Sequence, residues 1–184
     1  DLQKDPQLQS KYNNKVSLIR NNALRLFDLI NQLLEFRKIE TQNKNLTVKK
    51  ANLSALVSEI GFKYKELNSN PNVQFRIELE SEEMYLYFDE EIIYSILDNL
   101  MSNAVKYTDQ GCITLSLLTN IIDGESFTEI SVEDTGCGIS EKEQESIFDN
   151  FYQVKDNRHV SGSGIGLALI KKLAEIHEGQ IQVK

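Results

Sequence analysis

The sequence is poor in the residues and patterns that mark several protein classes. It has no tryptophan and only two cysteines, two prolines and two methionines among 184 residues. Cys112 and Cys137 form neither a metal-ligand spacing nor a disulfide framework, which excludes a disulfide-stapled scaffold and fits a reducing compartment. No apolar run approaches the roughly 18 residues of a membrane-spanning helix. The polar start DLQKDPQLQ shows no signal peptide, so we expect no membrane contact by this chain.

Basic residues are also in deficit. The chain has 20 lysines and arginines against 28 acidic residues, which gives a net charge of −8. This balance argues against nucleic acid as a partner, because binding of the phosphate backbone needs clustered basic side chains. Hydrophobic residues make up 40% of the chain, enough for a buried core, so we expect one domain, or one domain with an appended element.

Residues 1–45 are predicted to form one long amphipathic helix. Pro6 suits a helix start, and the apolar residues that follow alternate at spacings of four and three: Tyr12, Val16, Ile19, Ala23, Leu26, Ile30 and Leu33. The polar run Thr41–Asn45 is expected to end the helix. We interpret this segment as one helix of a multi-helix bundle that other chains or other sequence complete. The alternative is that it folds back onto the downstream domain.

Residues 46–184 are predicted to form a compact α/β unit. Helices are expected over Leu53–Leu67 with Asn52 as N-cap, from Asp89 to Thr108, and from Gly166 to His177, with short helix and loop over Ser140–Phe151. Strands are expected at Leu46–Lys50, Val73–Leu79, Met84–Phe88 and Gln180–Val183, and a hairpin at Cys112–Asn120 and Phe127–Glu133 around Asp123 and Gly124.

The helix ending in ILDNLMSNAVKYT combines polar side chains with an apolar stripe. Its predicted inward stripe is Ile93, Leu97, Leu100 and Ala104. Asn99 and Asn103 lie four residues apart on the neighbouring stripe, which Lys106 and Tyr107 continue. Amides at an apolar boundary cost about 1–3 kcal/mol each if they stay unpaired, so they bond either nearby backbone or a ligand. A nucleotide with Mg²⁺ offers a suitable set of oxygens, metal and flat ring.

Five of the nine glycines fall in two clusters. The first is Gly136 and Gly138 in DTGCGI, directly after a predicted strand, where Asp134 could accept a hydrogen bond from an exocyclic amine or only cap a tight turn. The second is GSGIG, with Gly162, Gly164 and Gly166 at a helix start, where free N–H groups attract anions. This second signal is weak alone and matches neither the dinucleotide fingerprint nor the P-loop.

Four segments in this order resemble the N, G1, F and G2 boxes of sensor histidine kinases: ILDNLMSNAVKYT, EDTGCGI, IFDNFYQV and GSGIGLAL. The resemblance covers residues 46–184, and NQLLEFRKIE resembles the second helix of that family's dimerisation and phosphotransfer domain. The sequences of these segments are also similar to those of hybrid sensor kinases. The fold implied is α+β: a Bergerat-type ATP-binding α/β sandwich, its mixed sheet covered by helices on one face, preceded by one long bundle helix.

The resemblance also implies a role for each matching residue, with ATP and Mg²⁺ as cofactors. Asn103 would bind Mg²⁺ with Asn99 as its companion, Lys106 would reach phosphate, and Tyr107 would pack on adenine. Asp134 would bond the adenine amine in a pocket shaped by Gly136, Gly138 and Ile139. Phe148 and Phe151 would anchor a lid over the nucleotide, and the phosphates would be closed in by Gly162, Gly164, Gly166 and Leu167. Arg158 in the lid would contact the γ-phosphate, with Lys155 as second choice, although alone Arg158 reads as a solvated charge.

The implied activity is transfer of the ATP γ-phosphoryl group to a histidine and onward to a response-regulator aspartate. The acceptor segment of that family is not found here, because neither His159 nor His177 lies in its context. We therefore expect the acceptor outside this chain, homodimerisation through the bundle helix, and a cytosolic location beneath a membrane-anchored receptor. Glu178 stands where the family usually has glycine. The alternatives are an ATPase of the same nucleotide fold, of chaperone, topoisomerase or mismatch-repair type, and a non-catalytic dimeric scaffold.

Overall fold

The computed structural model describes residues 6–40, 46–122, 124–153 and 164–184. The chain divides into two compact units, Asp1–Lys44 and Asn45–Lys184. The first unit contains helix α1, Pro6–Glu40, and the polar run predicted to end it lies outside the described residues. All seven side chains of the predicted apolar seam on α1 are solvent-exposed: Tyr12, Val16, Ile19, Ala23, Leu26, Ile30 and Leu33. In the described part of the chain, no helix combines the length and hydrophobicity needed to cross a membrane.

The second unit alternates strands and helices. In chain order its elements are β1 (Lys49–Asn52), α2 (Leu53–Leu67), β2 (Val73–Leu79), β3 (Tyr85–Phe88), α3 (Glu90–Tyr107), β4 (Gly111–Ile122), β5 (Glu125–Asp134), α4 (Glu141–Gln144) and α5 (Gly166–Ile176). A short 3-10 turn, Ser146–Phe148, follows α4. Helix α3, which carries ILDNLMSNAVKYT, is therefore present. So is the hairpin of β4 and β5, at whose end EDTGCGI begins.

A three-stranded mixed sheet forms the centre of the second unit. Strand β4 lies in the middle and pairs in parallel with β2 and antiparallel with β5, while β1 and β3 form a separate antiparallel pair. The inward face of β4 carries Ile113, Leu115 and Leu117, which are buried in one core with residues of α2 and α3. The opposite face of β2 is exposed at Arg76 and Glu78. The predicted mixed sheet with helices on one face is confirmed.

Two side-chain caps fix where the helices of the second unit begin. Asn52 Oδ1 accepts a hydrogen bond from Ala55 N at 3.3 Å, at the start of α2. Asp89 Oδ1 accepts from Glu91 N and Ile92 N at 3.1 and 3.2 Å, at the start of α3. A short polar side chain in extended backbone can satisfy these otherwise unpaired N–H groups, which explains both predicted helix starts.

Three sequence-based expectations are wrong in detail. The first strand begins at Lys49 rather than Leu46, because only Lys49–Asn52 pairs with β3. On α3, Met101 is buried in place of Leu100, and Ile92 in place of Ile93; the two predicted residues are half-buried. All four residues belong to a broad apolar face, and packing in the fold decides which stripe turns inward. Residues 180–183 keep an alternating burial pattern but form no strand, since they make no ladder with any described strand.

Helix α5 ends in a Schellman motif with an unusual residue. Gly179 N donates to Ala174 O at 2.8 Å, and Glu178 N donates to Glu175 O at 3.1 Å. The motif needs a left-handed residue at Glu178, whose φ is +57°. This conformation suits glycine and is unfavourable for residues that carry a Cβ. The turn therefore forms although Glu178 stands in place of glycine, and the glutamate is held in a strained conformation.

We predict that Glu178→Gly stabilises the chain. Removing the Cβ relieves the left-handed strain, which we expect to raise the free energy of unfolding by about 1 kcal/mol. Urea unfolding measures the difference. Glu178→Ala is the control, because it removes the carboxylate from the negative end of the helix dipole but keeps the strain. An equal gain in the alanine variant would show that charge, and not backbone strain, limits this turn.

Candidate functional site

The two asparagines predicted to bind a ligand lie half-buried on α3 and differ in their partners. Asn99 Nδ2 donates to Ser95 O at 2.9 Å, so its donor is satisfied within the helix. Its Oδ1 faces the start of α5, where a Cβ built on Gly166 would lie 3.1 Å away. The Asn103 side chain makes no hydrogen bond to any other described residue. The backbone interpretation thus holds for the donor of Asn99, while both amide oxygens are available to a ligand.

Lys106 and Tyr107 contact each other at the end of α3. Lys106 Nζ donates to Tyr107 Oη at 3.1 Å and lies 4.7 Å from the centre of the ring. This is a close cation–π contact. The lysine therefore covers part of the aromatic ring, and the charge and the ring predicted for a nucleotide are adjacent.

Asp134, the last residue of β5, is held by the residues around it. Its Oδ1 accepts from Gly136 N at 2.8 Å and from the hydroxyl of Thr108 at 3.4 Å. The first bond is an Asx turn, so the capping interpretation is correct for this oxygen. Oδ2 makes no hydrogen bond within the described residues, which leaves one carboxylate oxygen for an amine.

Thr108 and Thr135 are two supporting residues that the sequence interpretation missed. The Thr108 side chain is buried and its hydroxyl donates to Asp134. Thr135 Oγ1 accepts from Cys112 N at 2.9 Å and so joins the DTGCGI segment to the start of β4. The position of each threonine, one directly after α3 and one directly after Asp134, was the only signal in the sequence.

Gly136 allows the DTGCGI loop to contact α3. A Cβ at this position would lie 2.4 Å from Tyr107 O and 2.7 Å from Asp134 Oδ1. Such distances do not occur between real side-chain and backbone atoms, so only glycine fits here. Gly138 has φ +69° with open space around it, and Ile139 is half-buried.

The start of α5 brings a second glycine segment to α3. Ile165 occupies its N-cap position without a side-chain hydrogen bond, and no side chain in the described part of the chain caps the first N–H groups of the helix. Gly164 has φ +68°, and a Cβ there would lie 2.6 Å from the carbonyl carbon of Phe151. Gly166 and Leu167 are half-buried. Uncapped N–H groups beside the Asn99 oxygen can bind an anion.

The two phenylalanines predicted to anchor a lid have different surroundings. Phe148 is half-buried, and Lys171 of α5 lies 5.9 Å from the centre of its ring. Phe151 is exposed, with φ +65°, and its N–H donates to Gly164 O at 2.8 Å. Phe148 therefore packs near α5, whereas Phe151 is attached there through its backbone. Arg158, Lys155 and Gly162 lie outside the described residues.

A polar cluster braces α3 from its other side. Lys63 Nζ contacts Asp98 Oδ1 at 2.7 Å and Tyr94 Oη at 2.8 Å, and Tyr64 Oη donates to Asp98 O at 2.9 Å. Burial lowers the pKa of Lys63, but its hydrogen bonds to Asp98 and Tyr94 outweigh this and leave the pKa raised. Burial, then the Asp98 carboxylate, raises the pKa of Tyr64. The cluster holds α2 against the residue next to Asn99.

Three separate segments thus meet around one face of α3: the helix itself, the end of β5 and the start of α5. They offer amide and carboxylate oxygens, a lysine, and backbone N–H groups that approach closely through glycine. In the described part of the chain, no group of three histidine, cysteine or acidic residues could hold a metal. The amide oxygens of Asn99 and Asn103 fit a Mg²⁺ ion that keeps phosphate and water ligands, because Mg²⁺ prefers oxygen donors.

Residues 88–184 match the family model of histidine kinase-, DNA gyrase B- and HSP90-like ATPases. The match begins at the residue before the Asp89 cap and includes α3, the DTGCGI segment and α5. The chain belongs to this family of ATPases.

Proteins similar to this chain include sensor histidine kinases. The chain is 36% identical over 174 residues to the aerobic respiration control sensor protein ArcB homolog of Haemophilus influenzae, covering 94% of the chain and 52% of that protein. It is 32% identical over 165 residues to the sensor histidine kinase WalK of Bacillus subtilis, covering 88% of the chain and 26% of WalK. The chain spans about half or less of the length of these relatives.

Solved structures of the same class share the fold. Full-length ShkA in complex with AMPPNP matches with a TM-score of 0.74 and 25% identity, over 89% of this chain and 34% of ShkA. The catalytic domain of histidine kinase ThkA matches with a TM-score of 0.57 and 27% identity, over 70% of this chain and 81% of that domain. The Bergerat-type fold expected from the resemblance is confirmed.

We predict that Gly136→Ala weakens binding of an ATP analogue at least about tenfold, because the added Cβ must displace the Tyr107 carbonyl or the Asp134 carboxylate. Isothermal titration with AMPPNP measures the affinity. Gly124→Ala, at the opposite end of the hairpin from Asp134, is the control for general destabilisation, since its φ of +86° adds backbone strain while its Cβ would meet nothing within 4 Å. Equal affinities in both variants and the unmodified chain would show that this close approach does not shape the site.

Proposed function

We propose that this chain is the ATP-binding catalytic part of a two-component sensor histidine kinase. The observation that carries the proposal is that Asn99, Gly136 and Gly166 bring three distant segments together around α3. These segments are the ones that resemble the N, G1 and G2 boxes. The sensor relatives named above match this chain over most of its length. Their similarity supports a kinase over the other members of the family.

The adenine half of the site is assigned to the end of β5. The free Oδ2 of Asp134 would accept a hydrogen bond from the adenine amine, while Oδ1 keeps the loop in place. Gly136, Gly138 and Ile139 would shape the pocket around the base. Tyr107, whose carbonyl contacts this loop, would pack on the ring.

The phosphate half is assigned to α3 and the start of α5. When bound, Mg-ATP supplies the phosphoryl group and its charge-neutralising metal. Asn103 and Asn99 would orient the metal, and Lys106 would offset phosphate charge. The uncapped N–H groups near Gly164, Gly166 and Leu167 would bind phosphate oxygens, with Gly162 and Arg158 contributing from the segment before them. Phosphoryl transfer depends mainly on such positioning and charge stabilisation.

The acceptor histidine is proposed to lie outside this chain. The side chain of His177 accepts a hydrogen bond from Asp89 N at 3.0 Å, so its Nε2 lone pair is occupied. His159 lies outside the described residues. We propose that α1, with its exposed apolar seam, belongs to a dimeric phosphotransfer bundle over residues 1–45, that residues 46–184 form the catalytic domain, and that phosphate passes to a response-regulator receiver domain. The whole protein would be a membrane-anchored receptor with this part in the cytosol.

Two other functions remain distinguishable by experiment. The family also includes DNA gyrase B- and HSP90-like ATPases, which predicts steady ATP hydrolysis by this chain. A non-catalytic dimeric scaffold predicts no nucleotide binding at all. The presence of Asn99, Asn103, Asp134 and both glycine segments argues against the scaffold, because together they supply the parts of a nucleotide site.

We expect the chain to bind AMPPNP only with Mg²⁺, and Asn103→Ala to weaken this binding at least about tenfold, since it removes a metal-side oxygen. Isothermal titration with and without Mg²⁺ tests both statements. Asn120→Ala, in the far part of the hairpin, is the control for loss of an amide elsewhere. Absence of binding to the folded wild-type chain would refute the proposed function.

We further expect that the chain incubated with γ-labelled ATP acquires no stable acid-labile label, since we place the acceptor histidine outside this chain. Gel autoradiography after neutral and acid treatment measures this. His159→Ala and His177→Ala are prepared alongside. Acid-labile label that disappears in one of these variants, while the affinity of that variant for AMPPNP stays unchanged, would locate the acceptor within this chain and contradict the expectation.

A further inference from the structure

Helices α3 and α5 contact each other at two points along their length. The start of α5 lies beside the middle of α3, where Gly166 approaches Asn99. The end of α5 lies beside the start of α3, where His177 contacts Asp89. The two helices therefore run side by side in opposite directions, with the candidate phosphate site at one contact and a histidine at the other.

The contact at the far end is a directional hydrogen bond in a partly buried place. Asp89 N donates to His177 Nε2 at 3.0 Å, and the residues are 88 positions apart in sequence. Because Asp89 is only 5% exposed, water cannot easily replace the acceptor. The Nε2 atom must carry a lone pair to accept this bond.

Both partners of this bond are themselves fixed in place. Asp89 caps α3 through Oδ1, and its Oδ2 accepts from Thr47 N at 2.7 Å. His177 is the C-cap residue of α5, and its N–H donates to Leu173 O at 3.1 Å. The bond therefore joins one rigid helix end to another.

Apolar packing alone does not set the position of α5 along α3 so sharply. The buried side chains of α5 are Ala168, Leu169, Ile170 and Leu173, and such contacts are non-directional. A helix of 11 residues moves as a rigid rod, so a shift at His177 is transmitted to Gly166.

We propose that His177 is a positioning residue for the nucleotide phosphates. It sets the register of α5 along α3 and thereby places the N–H groups near Gly164 and Gly166 relative to Asn99. This role rests on the proposed function, because it acts through the phosphate half of that site. The base-binding half at Asp134 belongs to a different element and stays unaffected.

Three substitutions of His177 distinguish the effect of the hydrogen bond from the effect of the size of the ring. His177→Phe keeps the shape without an acceptor. His177→Gln places an amide oxygen the same number of bonds from the backbone as Nε2, and His177→Asn offers the same chemistry one bond short. The glutamine variant should therefore restore the register, and the other two should not.

The experiment measures the affinity of each variant for Mg-AMPPNP by calorimetry and for adenosine by NMR titration. We expect the phenylalanine and asparagine variants to lose about fivefold or more in AMPPNP affinity, in the range of couplings between distant positions. Adenosine affinity should stay within about twofold, and the glutamine variant should bind both ligands like wild type. Should the phenylalanine variant not fold, the glutamine–asparagine pair gives the same comparison.

Two results would overturn the inference, and they are distinguishable from failure of the proposed function. Equal losses for AMPPNP and adenosine would mean that His177 only stabilises the fold. Unchanged AMPPNP affinity in the asparagine variant would mean that the bond does not set the register. A folded wild-type chain that binds no AMPPNP would instead refute the proposed function itself.

Discussion

The packing of α3 onto the mixed sheet is the constraint on which the candidate site depends. Leu97, Met101 and Ala104 are buried in the core with β4, and this fixes which face of the helix remains for polar residues. A helix has only about 3.6 residues per turn, so burying these positions leaves Asn99 and Asn103 at the edge of the core. The polar residues are therefore half-buried without being enclosed, which is where a ligand can replace part of their hydration.

Local signals in the sequence predicted most elements of the second unit. Asn52 and Asp89 cap the helices where the pattern placed them, and the hairpin turns where expected at Gly124. Such features depend on a few neighbouring residues, so a single sequence contains them. The order of the four segments that resemble the kinase boxes then indicated the class of fold.

Features that depend on contacts distant in sequence were not predictable in the same way. Contact with the sheet decides that Met101 is buried rather than Leu100. Residues 180–183 form no strand because they pair with none of the described strands. The bond between Thr108 and Asp134 joins residues 26 positions apart, and that between Asp89 and His177 joins residues 88 apart. Neither pairing leaves a periodic pattern, because hydrogen-bond partners across elements carry no spacing rule.

The assembly of the site from distant segments makes ligand binding and folding interdependent. Gly136 and Gly166 reach α3 only when β5 and α5 have both docked, so an unfolded chain has no partial site to offer. A nucleotide bound to the folded chain alone would add to its stability by mass action, by about 2.7 kcal/mol at a concentration of a hundred times its dissociation constant. In a cell, the nucleotide supply would then help to set how long this domain survives proteolysis as well as how fast it reacts.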